Sequence, residues 1–131
     1  MLLHLKIIGL ILIALALVHI IFPRYFNWKV ELKPLSLINR QMVTVHTFFI
    51  ALTVFLMGLL CLTSGVEIIE TKLGNKLALG LGVFWSIRAF MQFFVYSVKL
   101  WKGKMFETIV HIFFSFVWLY FSTIFLMIFF K

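Results

Sequence analysis

Hydrophobic residues in this chain gather in four long runs, set apart by three short stretches that hold most of the charge. The runs cover residues 2–22, 42–63, 77–98 and 106–130. A bilayer core about 30 Å thick takes roughly 20 residues of helix, and each run meets that length. None alternates in the two-residue rhythm of a barrel strand. In lipid a backbone must satisfy its own hydrogen bonds, which a helix does within a single segment. The pattern predicts an all-α polytopic integral membrane protein, a four-helix bundle of four transmembrane helices with short loops. Residues 1–131 form one transmembrane domain in this reading. The first run offers no small-x-small cleavage site in "LVHIIFPRYF" and is expected to remain as a helix. Lys6 lies near enough to its end to reach the headgroups, and His4 reads as interfacial.

The connections differ in character. Residues 23–41 mix Arg24, Lys29, Lys33 and Arg40 with Tyr25 and Trp28, and hold the helix-stopping Pro23 and Pro34. Headgroup regions select that mixture, so an interfacial helix is expected within 24–38. Residues 64–76 read as a polar loop with Glu67, Glu70, Lys72 and Lys76, and residues 99–105 as a tight basic turn. The first and third loops must share a side. They hold seven basic residues (Arg24, Lys29, Lys33, Arg40, Lys99, Lys102 and Lys104), against four (Lys6, Lys72, Lys76 and Lys131) on the other side. The positive-inside rule then puts these loops in the cytoplasm and both termini on the non-cytoplasmic side. The expected location is a bacterial inner (cytoplasmic) membrane.

Composition agrees with lipid as the solvent. Of 131 residues 64% are hydrophobic and 12% charged, whereas soluble domains carry about a quarter charged residues. A soluble globule of this size has too much surface to hide so many apolar side chains. The net charge of +8 lies in loops rather than along one face. It therefore fits anionic headgroups as partner and not nucleic acid. Cys61 is the only cysteine, which excludes an internal disulfide, and no CxxC spacing exists for thiolate metal sites. Within its apolar run it reads as a small buried hydrophobe.

Polar residues inside the runs fall at one depth. From the helical rise, His19 lies about 6 Å in from Pro23, His46 about 9 Å from Arg40 and His111 about 6 Å from Glu107. Gln92 is about 10 Å and Arg88 about 16 Å from Lys99. All five lie in the half of the membrane next to the first and third loops. They also share faces: Trp85, Arg88, Gln92, Tyr96 and Lys99 make one stripe, and Glu107, His111, Ser115, Trp118 and Ser122 another. Asn39, His46 and Thr53 make a third. A charge facing lipid costs about 2.5–3.5 kcal/mol even on insertion scales, so the stripes are expected to turn inward.

Two function classes compete. In the first, His19, His46, Arg88, Gln92, Tyr96 and His111 bind an amphipathic cofactor or ligand, a quinone or haem fitting best. His or Tyr would donate to a quinone carbonyl, and Arg88 would stabilise the charge of its reduced form. Neutral imidazoles of His19, His46 and His111 could instead hold a metal ion or a haem iron. In the second class the polar stripes only fix helix register, with Arg88 and Glu107 as a structural ion pair. The chain is then a non-catalytic accessory subunit of a larger membrane complex, or a homo-oligomer. A small proton-linked transporter ranks behind both, because four spans make a thin pathway with one deep charge. Motifs for a hydrolytic triad, a phosphate-binding glycine loop, a di-metal carboxylate centre or a Rossmann fingerprint are absent from the sequence. Gly80 and Gly82 in "LALGLG" read as points of close helix approach. In layout alone, the four spans resemble those of small bacterial DoxX-like membrane proteins, a resemblance of topology that carries no residue roles.

Overall fold

Leucine, isoleucine, valine and phenylalanine fill the long runs, and coiling them as helices pairs every interior N–H with a carbonyl of the same segment. The structure, a computed structural model, describes residues 1–95 and 102–130. Every regular element among them is helical: α1 (Leu2–Val18), α2 (Phe22–Tyr25), α3 (Trp28–Glu31), α4 (Leu37–Thr63), α5 (Gly65–Glu70), α6 (Lys72–Phe94) and α7 (Met105–Phe130). Helices α4, α6 and α7, at 27, 23 and 26 residues, are long and apolar enough to cross a membrane. Helix α1 is apolar but shorter, at 17 residues.

The early end of α1 has a local cause. Pro23 carries no N–H for the carbonyl of His19, which takes the Phe22 N–H at 3.3 Å instead. Tighter bonds from Ile20 to Leu17 (3.1 Å) and Ile21 to Val18 (3.0 Å) close the turn, so the predicted span to residue 22 stops at Val18. The basic stretch that follows holds two one-turn helices, α2 and α3, with no buried residue in either. Asn27 separates them in the left-handed conformation (φ 54°), which asparagine tolerates better than most residues.

Residues 64–76 are not the loop that their polarity suggests. They form α5 and the start of α6, and their polar side chains serve the helix ends. Thr71 Oγ1 accepts from the Gly74 N–H at 2.9 Å and donates to the Glu67 carbonyl at 2.7 Å. Asn75 Nδ2 reaches the carbonyls of Ile68, Ile69 and Thr71 at 3.3, 3.0 and 2.8 Å. Likewise α4 begins at Leu37, ahead of the predicted residue 42, because Ser36 caps it by accepting from the Asn39 N–H.

The chain divides into two compact units, Leu2–Gly65 and Val66–Lys131, Met1 grouping with the second. In the first, α1 packs on α4. The pairing of Leu2 with Gly65, Gly9 with Leu62 and Ile13 with Gly58 makes them antiparallel. The two backbones touch where Gly9 meets Gly58. A Cβ at Gly58 would lie 2.9 Å from the Gly9 carbonyl oxygen, and one at Gly9 would lie 2.9 Å from the Gly58 oxygen. With Ile13 beside Gly58, α1 ends before it reaches the first turns of α4. Asn39 and His46 lie in that uncovered part and are exposed, as is Thr53. The α4 stripe thus faces outward from its unit, against expectation, and Thr53 bonds instead to its own helix at the Phe49 carbonyl (2.7 Å).

In the second unit α6 packs on α7. Trp85, Trp118, Phe121 and Phe125 form its buried centre. Of the glycine pair expected to allow close approach, Gly82 does so, its Cβ position lying 2.7 Å from Leu126 Cδ2. Gly80, exposed, has no atom of the described residues within 4 Å of its Cβ position.

Substituting Gly58→Ala should therefore destabilise the α1–α4 pair by about 1–3 kcal/mol, the range for overpacking against atoms that cannot yield. Gly80→Ala should be neutral or slightly stabilising. Cys61, buried in the first unit, supplies the readout: with a thiol-reactive fluorophore on heating, Gly58→Ala should label at lower temperature than wild type.

Candidate functional site

On α6 the four-residue step from Arg88 to Gln92 places two polar side chains on one face, and the step from His111 to Ser115 does the same on α7. The antiparallel packing brings these faces together across the second unit. Arg88 Nη1 donates to Gln92 Oε1 at 3.2 Å, and Trp118 Nε1 donates to the same oxygen at 3.4 Å. The amide nitrogen of Gln92 meets His111 Nδ1 at 2.9 Å and the His111 carbonyl at 3.5 Å. Gln92 is only 6% exposed. A primary amide has two acceptor sites and two donor hydrogens, and all four are used. Ser115 Oγ also donates to the His111 carbonyl, at 2.7 Å.

These partners fix the orientation of the amide. Guanidinium and indole N–H groups only donate, so the Gln92 oxygen must face Arg88 and Trp118. Its NH₂ then faces His111, whose Nδ1 accepts. The imidazole is the neutral tautomer with its proton on Nε2.

Aromatic rings enclose the network. Arg88 Cζ lies 4.9 Å from the Trp118 ring centroid, within range of an attractive cation–π contact. Trp118 stacks on Trp85 at 5.0 Å with 9° between planes, and on Phe114 at 5.4 Å with 20°. His111 meets Phe93 edge-on at 6.3 Å. Trp85 is 3% exposed, and its indole N–H has no hydrogen-bond partner among the described residues. A buried donor left without an acceptor costs about 1–3 kcal/mol.

Of the six residues proposed from sequence, the structure brings Arg88, Gln92 and His111 together. Tyr96 lies outside the described residues. His19 and His46 belong to the first unit. His19 is half-buried at the end of α1, where its Nδ1 donates to the Leu15 carbonyl at 2.8 Å and its ring lies 4.6 Å from that of Phe22. His46 is exposed on α4. Within either unit, no three His, Cys, Asp or Glu residues cluster among the described residues. Glu107 is exposed in the first turn of α7, where a negative charge complements the helix dipole. Arg88 contacts Gln92 and Trp118. Both tryptophans lay on the predicted stripes, but only packing reveals that one indole N–H is satisfied and the other is not.

Comparison of the chain with protein-family models, curated proteins and solved structures finds no match.

Replacing Gln92 by leucine removes the acceptor for Trp118 and the donor for His111 while keeping the volume near that of glutamine. Gln92→Leu should lower the stability of the α6–α7 pair by about 1–3 kcal/mol. It should also weaken the near-ultraviolet circular dichroism of the stacked indoles. An unchanged melting curve and spectrum would mean that the amide holds nothing in place.

Proposed function

We propose that the chain is a small integral membrane protein of four spans that binds an amphipathic ligand through an oxygen acceptor. A quinone is the class that fits best. The single observation that carries this reading is the buried Trp85 N–H, without an acceptor among the described residues, beside a network whose amide oxygen already serves two donors. Arg88, Trp118 and Trp85 are donor-only groups. Among the described residues the Trp85 N–H is the buried side-chain donor of this centre left without an acceptor, and an apolar ring bearing carbonyl oxygens would bring one.

The polarity of Gln92 favours a quinone over a haem here. An axial histidine uses one ring nitrogen for the iron and donates from the other, usually to a carbonyl or carboxylate. His111 accepts at Nδ1 from an amide, which leaves its proton on the nitrogen that iron would need. The same arrangement suits donation to a carbonyl oxygen. Arg88 adds a fixed positive charge that would favour the negative charge of a reduced ring. Tyr96 remains a candidate for the ligand's surroundings.

The fourth span is α1. Its 17 residues make about 25 Å of helix, and in this reading the turn at residues 19–21 would carry the chain on toward the headgroups. With four spans, the charge asymmetry of the loops favours cytoplasmic first and third loops and non-cytoplasmic termini, in a bacterial inner membrane.

A second reading has its own support. Complete satisfaction of Gln92 within the chain is what a register-setting clasp requires, and it suits an accessory subunit or homo-oligomer that binds no small molecule. Purification in mild detergent separates the two. Under the ligand reading, solvent extraction yields a quinone with no Soret band, and Trp85→Phe, which keeps the ring stack, lowers the yield. A lipid-only extract from wild type, with Trp85→Phe as stable and as well assembled, rejects the quinone and leaves the accessory subunit.

A further inference from the structure

At the other end of the sequence's basic loop, Arg40 has a setting that the α6–α7 centre does not explain. It is half-buried in the first turns of α4, and its Nε has no hydrogen-bond partner among the described residues. Its side chain lines an open depression of about 340 Å³ with Gln41, Thr44 and Val45. Arginine cannot shed its charge by deprotonation, so this half-buried residue with a buried, unmet Nε calls for an anion on its guanidinium. From Leu37, Arg40 is about 4.5 Å along the helix, a headgroup depth if α4 crosses the membrane. Arg24, Lys29 and Lys33, all exposed, precede it on the same connection.

We propose that Arg40, Gln41, Thr44 and Val45 form a site for the headgroup of an anionic phospholipid. The guanidinium takes the phosphate, whose oxygens match its planar donor fork. Gln41 meets the ester or glycerol oxygens. The Thr44 hydroxyl donates its hydrogen to the Arg40 carbonyl at 3.1 Å, so toward a ligand it acts as an acceptor for a headgroup hydroxyl. Val45 lies against the first methylenes of the acyl chains. A phosphate alone uses only Arg40, whereas a glycerophospholipid uses every side chain of the depression. The site is independent of any ligand at α6–α7.

The test uses the full chain in nanodiscs of phosphatidylcholine mixed with phosphatidylglycerol, followed by detergent exchange and counting of retained lipid. Wild type should retain phosphatidylglycerol above its share in the disc. Arg40→Gln should reduce that enrichment about fivefold, which corresponds to about 1 kcal/mol for one basic residue near an anionic surface. Arg24→Gln should change it less, and Arg40→Lys should keep part of it. Equal retention by Arg40→Gln with unchanged helical circular dichroism overturns the proposal. So does displacement of the retained lipid by millimolar inorganic phosphate, which would make the site one for the free ion. A photoactivatable phosphatidylglycerol provides a check that needs no variant: its adduct should map to residues 37–45 of wild type, and labelling only elsewhere overturns the assignment.

Discussion

A bilayer interior offers no hydrogen bonds, so each polar group on these helices must find its partner on the chain or at the membrane surface. That constraint governs the structure down to single hydroxyls. Thr53, Thr63, Ser86, Ser115 and Ser122 each donate to the carbonyl four residues earlier, at 2.6 to 2.8 Å. His19 does the same with its ring nitrogen at Leu15. Larger polar groups cannot be satisfied so locally. Gln92 and His111 reach across from α6 to α7, and using all four sites of this buried amide holds those helices in one register. The register in turn stacks Trp85 on Trp118 and sets Trp118 beneath the charge of Arg88.

Much of this was legible in the sequence, for a physical reason. Hydropathy over twenty residues is a sum, and it located α4, α6 and α7 without knowledge of their neighbours. Helical spacing put Arg88 with Gln92 and His111 with Ser115 on common faces, and depth put Gln92 level with His111. What spacing leaves open is which way a face turns. The α4 stripe of Asn39, His46 and Thr53 looked as polar as the others, yet α1 stops too soon to cover its first two members. The end of α1 depended on Pro23 and a few tight turn bonds. The polar segment 64–76 misled because Thr71 and Asn75 look the same in a loop as at a helix start. Gly80 and Gly82, two residues apart, point in different directions around α6, and only the packed partner tells them apart.

The network around Gln92 is directional. Hydrogens enter its oxygen from Arg88 and Trp118 and leave its nitrogen toward His111, so reversing any one of these bonds would set donor against donor elsewhere. The helices thereby fix the chemical character that His111 presents as well as its position. The Trp85 N–H is the one buried donor in the described part of this unit that the arrangement leaves unanswered. A scheme so complete in its other bonds gives that omission its weight.

The unequal lengths of α1 and α4 have a mechanical consequence. The two are level where Leu2 meets Gly65, yet they measure about 25 Å and about 40 Å along their axes. The whole difference therefore emerges at the opposite end, where α2 and α3 lie. Under the four-span reading, lipid beside α1 would meet a lower apolar wall than lipid beside α4. Such a mismatch is relieved by tilt or by local thinning, at fractions of a kcal/mol per ångström.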